Sequence, residues 1–292
     1  MNRVVTELME KERGRYFLLG KPFSGVGFVI ERDGRVRAME LVDGVAVGEY
    51  HPICASPDLG FEQVDLTGML SDYELPLYQG RPYSGIGYEF DNGACTREVF
   101  LKNGIIYSEV RWNEIGVMTY FDVPNDEFGE VYEWSLSGVL IKVGISTNDE
   151  FFGGLRFSDD GRLIFLSACR GFLDNIHRIA RKARFFPIST SRDIARLNIS
   201  EDLTLFGGDV GDAFFRYLDD SGALRNVVVL KLANVGIEFL NMVDLPRLSE
   251  LHVDEVELKG ISYNSEEYCD VDSFARKCGA NVKVFVSGRE VM

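Results

Sequence analysis

The sequence predicts an α+β protein. Residues 1–168 read as an N-terminal antiparallel meander of β-hairpins, and residues 169–292 as a connecting helix followed by a short α/β module. Three observations carry that expectation. A nine-residue stretch recurs at a fixed interval in the first half, turn dipeptides punctuate the same region, and leucines recur at a shorter interval in the second half.

The recurring stretch is GKPFSGVGF from Gly20, which returns as GRPYSGIGY from Gly80, a shift of 60 residues from 20 to 80. It is not a nucleotide loop. A phosphate loop needs its lysine directly after the second glycine, whereas Lys21 precedes Gly25, and Ile30 stands where a dinucleotide fingerprint needs a third glycine. An internal repeat is the better reading. Each copy continues into Asp33-Gly34 or Asn92-Gly93 and then into Asp43-Gly44 or Asn103-Gly104. These pairs supply the positive backbone torsions of tight hairpins. A weaker third copy, FGGLRF from Phe152, leads to Asp160-Gly161. Between the turns RVRAMELV, TREVFL and GEVYEW read as strands, and the glycines of the repeat mark bends or close strand approach. Residues 1–12 read as a short helix.

Beyond the meander, Phe172, Ile176, Ile179 and Ala183 follow helical spacing, and Pro187 places the helix end near Phe186. Arg178, Arg181, Lys182 and Arg184 make this the basic stretch of the chain. A helical charge run is usually a solvated face, which is favoured here over a basic contact surface. Further on, Val227, Leu230, Leu232, Val235 and Ile237 return as Leu248, Leu251, Val253, Val256 and Leu258, a shift of 21 from 227 to 248. Leu203 with Leu205 marks an earlier strand and Val282 with Val284 a last one. GDAFFRYLDDSG and VDSFARKCGA between them look helical. The consequence is a parallel sheet with helices behind it.

Composition narrows function. The 292 residues carry a net charge of −15, which repels nucleic acid and anionic membranes. The N-terminus lacks the apolar core of a secretory signal, and no apolar run is long enough to span a bilayer. Cys54, Cys95, Cys169, Cys269 and Cys278 are scattered and odd in number, which fits reduced thiols in the cytoplasm. His51, His177 and His252 form no HExxH pair, no GxSxG elbow is present, and the acidic loops at Pro124 and Asn148 lack the EF-hand ligand order. No catalytic, cofactor or metal residue is assigned, and the expectation is a protein that is not an enzyme.

The YSGIGYEFDNG pattern resembles MORN-type repeats, in particular the degenerate form of bacterial antitoxin-like proteins, over residues 16–50 and 76–110 with an echo at 151–163. HPICASPDLGFEQVDLTGML stands between the copies. The leucine pattern resembles leucine-rich repeats, with Val235 and Val256 where that family has asparagine. The MORN-like resemblance implies an immunity (antitoxin) protein that covers the active site of a cognate interbacterial toxin in the cytoplasm, without a cofactor, nucleic acid or membrane. The acidic charge would suit a basic toxin surface. A non-catalytic scaffold or adaptor is the alternative, and an enzyme with an unrecognised site comes after it. On leucine-rich geometry the residues between the leucines face outward, so Lys231, Glu250, His252, Asp254, Lys283 and Phe285 are the candidate partner-binding residues.

Overall fold

The computed structural model describes residues 2–55, 61–69, 76–124, 127–147, 150–169, 171–207, 218–233, 235, 245–253 and 281–290. They form two compact units, residues 1–124 with 133–138, and residues 125–132 with 139–292. A multi-stranded sheet dominates each, supplemented by short helices, so the fold is mixed α+β.

The first unit runs through β1 (Asn2–Val5), β2 (Glu10–Glu12), β3 (Arg15–Leu18), β4 (Lys21–Pro22), β5 (Gly25–Ile30), β6 (Val36–Val42) and β7 (Val45–Glu49). It continues through β8 (Gln63–Asp65), β9 (Leu77–Tyr78), β10 (Arg81–Pro82), β11 (Gly85–Asp91), β12 (Ala94–Lys102), β13 (Ile105–Trp112) and β14 (Met118–Pro124). The expected helix over 1–12 is absent. Asn2–Val5 and Glu10–Glu12 are strands, joined by a single 3-10 turn at Thr6–Leu8. Arg3 and Val5 are buried two residues apart, and β1 lies parallel to β5 with Asn2 opposite Gly25, so ladder pairing overrides local preference.

That pairing also shows where the repeat begins. β8 lies parallel to β11 just as β1 lies parallel to β5, and Arg3 of β1 leads to Gln63 of β8 by the same 60-residue shift. The segment between the two glycine motifs is therefore not a plain insertion, because its second half is the first strand of the second copy. The copies interlock. β1 also meets β12 at Val4 and Ala94, and Val64 of β8 bridges Arg35 at the start of β6. Pairings β1–β5–β6–β8–β11–β12–β1 thus close a ring of six strands. Phe28 and its counterpart Tyr88 meet inside it, ring centroids 5.1 Å apart.

Three successive positions of the glycine motif, Phe23, Ser24 and Gly25 with their counterparts Tyr83, Ser84 and Gly85, set the packing and turns next to the ring. The rings of Phe23 and Tyr83 lie where a Cβ on Gly25 or Gly85 would project, beside the carbonyls of Asn2 and Glu62. Gly25 and Gly85 have φ of +155° and +154°. The Ser24 hydroxyl accepts from the Asp43 amide at 2.9 Å and that of Ser84 from the Asn103 amide at 2.7 Å, pinning the next turn of each copy. Phe23 then joins Met9 and Leu41 in one satellite core, and Tyr83 joins Val64, Leu66, Val99 and Leu101 in the other. Gly85→Val is expected to cost more than ~1 kcal/mol, the scale for a side chain forced into such a conformation. An unchanged urea midpoint would remove this account of the motif.

Asp43-Gly44, Asn92-Gly93 and Asn103-Gly104 have both residues at positive φ, as type I′ hairpin turns require. At Asp33-Gly34 and Asp160-Gly161 only the glycine does. Ser287-Gly288 also has both residues positive, as do Arg13-Gly14, Leu19-Gly20 and Gln79-Gly80, whose first side chains give no local turn signal.

The second unit holds most of β15 (Gly129–Trp134), then β16 (Leu140–Thr147), β17 (Glu150–Phe157), β18 (Leu163–Ala168), helix α1 (Phe172–Lys182), β19 (Ile199–Phe206), β20 (Val229–Ala233), β21 (Glu250–Val253), β22 (Lys283–Val286) and β23 (Arg289–Glu290). The helix is where its spacing predicts, but it stops at Lys182, short of Phe186, with Ala183 already extended. Its basic residues Arg178 and Lys182 both pair with Glu127. From β18 to β22 the strands are parallel, and Leu230 lies opposite Leu251 and Leu232 opposite Val253, in the register of the 21-residue shift. The expected helices at GDAFFRYLDDSG and VDSFARKCGA fall largely or wholly outside the described residues, as do Cys269 and Cys278.

One face of this sheet is core. Val143, Leu155, Leu166, Leu205, Leu232, Val253 and Val286 follow one another across seven strands and are all buried. Phe172, Ile176 and Ile179 of α1 are buried as well. Phe172 lies where a Cβ on Gly153 would project. No helix among the described residues is long and apolar enough to cross a membrane.

Candidate binding face of the second unit

Because strand side chains alternate, burying one face turns the other outward. On the outward face a single register row runs Lys142, Arg156, Phe165, Thr204, Lys231, His252, Phe285 from β16 to β22. A second row runs Asp202, Val229, Glu250, Lys283. Five of the six residues expected to face outward, Lys231, Glu250, His252, Lys283 and Phe285, lie in these two rows. Asp254 lies outside the described residues.

Their contacts are mutual. The His252 imidazole stacks on Phe285 with centroids 4.5 Å apart and planes 5° from parallel. Its Nε2 lies 3.2 Å from Glu250 Oε2. Lys231 Nζ donates to Asp202 Oδ2 at 2.9 Å across the strand boundary. The histidine is thus held flat by an aromatic ring and a carboxylate, an arrangement that presents a rigid, half-exposed surface. Both polar pairs are solvated and contribute little to folding.

Sequence reasoning missed the continuation of this face over β16–β18. Lys142, Arg156 and Phe165 extend the row, and Arg156 sits 5.1 Å from the Phe165 ring centroid. LRF carries the alternation that turns Arg156 outward between two buried residues, whereas LIF is apolar throughout and gives no such signal.

Among the described residues, the titratable cluster with the most perturbed groups lies elsewhere, in the first unit. Arg3 bonds Glu98 at 2.8 Å and the Tyr50 hydroxyl at 2.9 Å, and Tyr50 donates to Glu98 at 3.0 Å. The Cys54 amide donates to the other Glu98 oxygen at 2.9 Å. The Arg3 guanidinium stacks 3.7 Å from the Trp112 ring centroid. Burial works against the Arg3 charge, yet Glu98, Tyr50 and Cys95 together outweigh it and the guanidinium is held protonated. Burial pushes the Cys54 thiol well up and the Cys95 thiol to about 12, so neither is a ready nucleophile. This cluster is sealed and reads as an interior tie between the copies. Among the described residues no group of three His, Cys, Asp or Glu is placed to hold a metal ion.

No family model matches the chain. No curated protein matches it either. Among solved structures it is similar, at 12% identity and a TM-score of 0.19, to a chain of the "Glycosylation Associate Protein (Gap123) complex from Streptococcus agalactiae". That likeness covers 75% of this chain and 53% of the other, so the chain spans about half the length of the structure it matches. At that score it carries no argument about fold or role.

Proposed function

We propose that this chain is an immunity protein, a non-catalytic binder that seats the outward sheet face of its second unit on a cognate protein toxin in the bacterial cytoplasm. On this reading the first unit is a MORN-like hairpin module, and β19–β22 form a short leucine-rich-repeat-like module. The observation that supports it is the row Lys231, His252, Phe285 with Glu250 and Lys283 beside it. These side chains stand on paired strands at fixed spacing, which is how a surface is preorganised for a partner. Aromatic and charged anchors of this kind dominate protein interfaces, and the carboxylates of Asp202 and Glu250 offer pairing to a basic toxin surface.

The experiment is co-expression of the chain with the products of neighbouring genes, followed by affinity measurement on whichever co-purifies. Glu250→Lys combined with Phe285→Ala is expected to weaken that complex at least 10-fold, about 1.4 kcal/mol. Both side chains are partly solvated, so thermal unfolding should stay within a few degrees of wild type. Wild-type affinity in the double variant would remove the face from the interface. Affinity that is indifferent to salt between low and physiological ionic strength would remove the charge-pairing argument.

A further inference from the structure

We infer that the outward face carries a second, separate site, a pocket over β16–β18 for a small aromatic carboxylate. The cavity has a volume of about 200 Å³. Its lining includes one register row, Gly144, Gly154, Ser167 and Phe206. Two adjacent positions without side chains make room that any other residue would fill. Phe151, Phe165 and Phe206 line the cavity, and Lys142 and Arg156 bring two cations to it. A Cβ on Gly154 would meet the Phe151 ring at 3.2 Å, so that ring lies over the glycine.

Ser167 points to a ligand independently of these walls. It is 1% exposed, it lines the cavity, and its hydroxyl has no hydrogen-bond partner among the described residues. A buried hydroxyl left unpaired is a standing cost to the fold, and such groups usually have a reason to be kept. A carboxylate in the pocket would give it an acceptor. No carboxylate is among the described residues that line it, in a chain whose net charge is −15. The chemistry of the walls then defines the occupant. Arg156 recognises a carboxylate, and phenylalanine rings take a flat apolar body. The cavity is below the roughly 300 Å³ at which sites for drug-sized ligands begin, which limits that body to about one ring. The same chemistry could come from a free acid or from an aromatic residue at the end of a peptide chain.

The test is calorimetric titration of the full chain with benzoate, N-acetylphenylalanine, benzylamine and acetate. Saturable binding of benzoate or N-acetylphenylalanine is expected, with benzylamine and acetate at least 10-fold weaker. Whichever of the first two binds 10-fold tighter identifies the source, free acid or chain end. Arg156→Ala, an exposed position, should lose at least 10-fold in affinity. Ser167→Ala should also bind more weakly, yet unfold no earlier than wild type without ligand, because it removes an unpaired buried group. A purely structural serine would give the opposite pattern. Phe285→Ala, four strands away on β22, should leave benzoate binding unchanged, so this site and the toxin interface fail separately. No saturable binding of either acid, equal binding of benzylamine, or wild-type affinity in Arg156→Ala would overturn the proposal.

Discussion

Arg3→Met is expected to destabilise the protein by about 3–5 kcal/mol, because it leaves the Glu98 carboxylate buried and without its cation. The side chains of Arg3 and Glu98 are 2% and 0% exposed, so water cannot take the place of the lost partner. The guanidinium also fills the space beside Trp112, Tyr50 and Phe28, a packing role that methionine recovers only in part. Pairing Arg3→Met with Glu98→Leu should restore much of the loss, since a buried ion pair can be exchanged for apolar residues at little net cost. Recovery should stop about 1–2 kcal/mol short, because Tyr50 and the Cys54 amide lose their acceptor. Urea denaturation of the two single variants and the double reads this out. A double variant no more stable than Arg3→Met would show that the cost lies in lost packing and not in an unpaired charge.

Phe172→Ala should cost about 3–5 kcal/mol, the range for removing a buried aromatic ring. Phe172 is fully buried, with Phe152 and Phe186 edge-on at 5.7 and 6.3 Å between centroids. The ring occupies the space that a Cβ on Gly153 would need. Gly153→Ala is therefore expected to destabilise the wild type by more than ~1 kcal/mol, as overpacking does, and to be close to neutral where Phe172 is already alanine. Additive effects in that cycle would mean the glycine is present for another reason.

The two cycles test features of different legibility. The Gly153 requirement leaves a trace in the sequence, a paired glycine among aromatics, but its cause lies in a helix that follows the next strand. The Arg3–Glu98 tie leaves no trace. Its counterparts by the 60-residue shift are Gln63 for Arg3 and Ala38 for Glu98, so the repeat itself gives no hint that one copy carries an ion pair. Gln63 instead accepts from the Tyr88 hydroxyl at 2.9 Å. The candidate face was half legible. The leucine spacing of β20 and β21 placed Lys231, Glu250 and His252 on one side, because strand alternation is local. The pocket over β16–β18 was not, because its row joins residues from β16 to β19 that are brought together only by pairing.

Much was determined by the sequence alone. The repeat, the Asn-Gly and Asp-Gly hairpins, the helix at Phe172 and the core positions of the parallel strands all follow from interactions within a few residues, where backbone torsion and side-chain period decide the outcome. The tertiary structure decided the rest. Residues 2–5 are a strand because β5 offers them a ladder, and residues 63–65 because β11 does. Ring closure buries Arg3 beside Glu98, 95 residues away in the chain. In each case the energy that settles the conformation comes from a partner distant in sequence, and no window of local residues contains it.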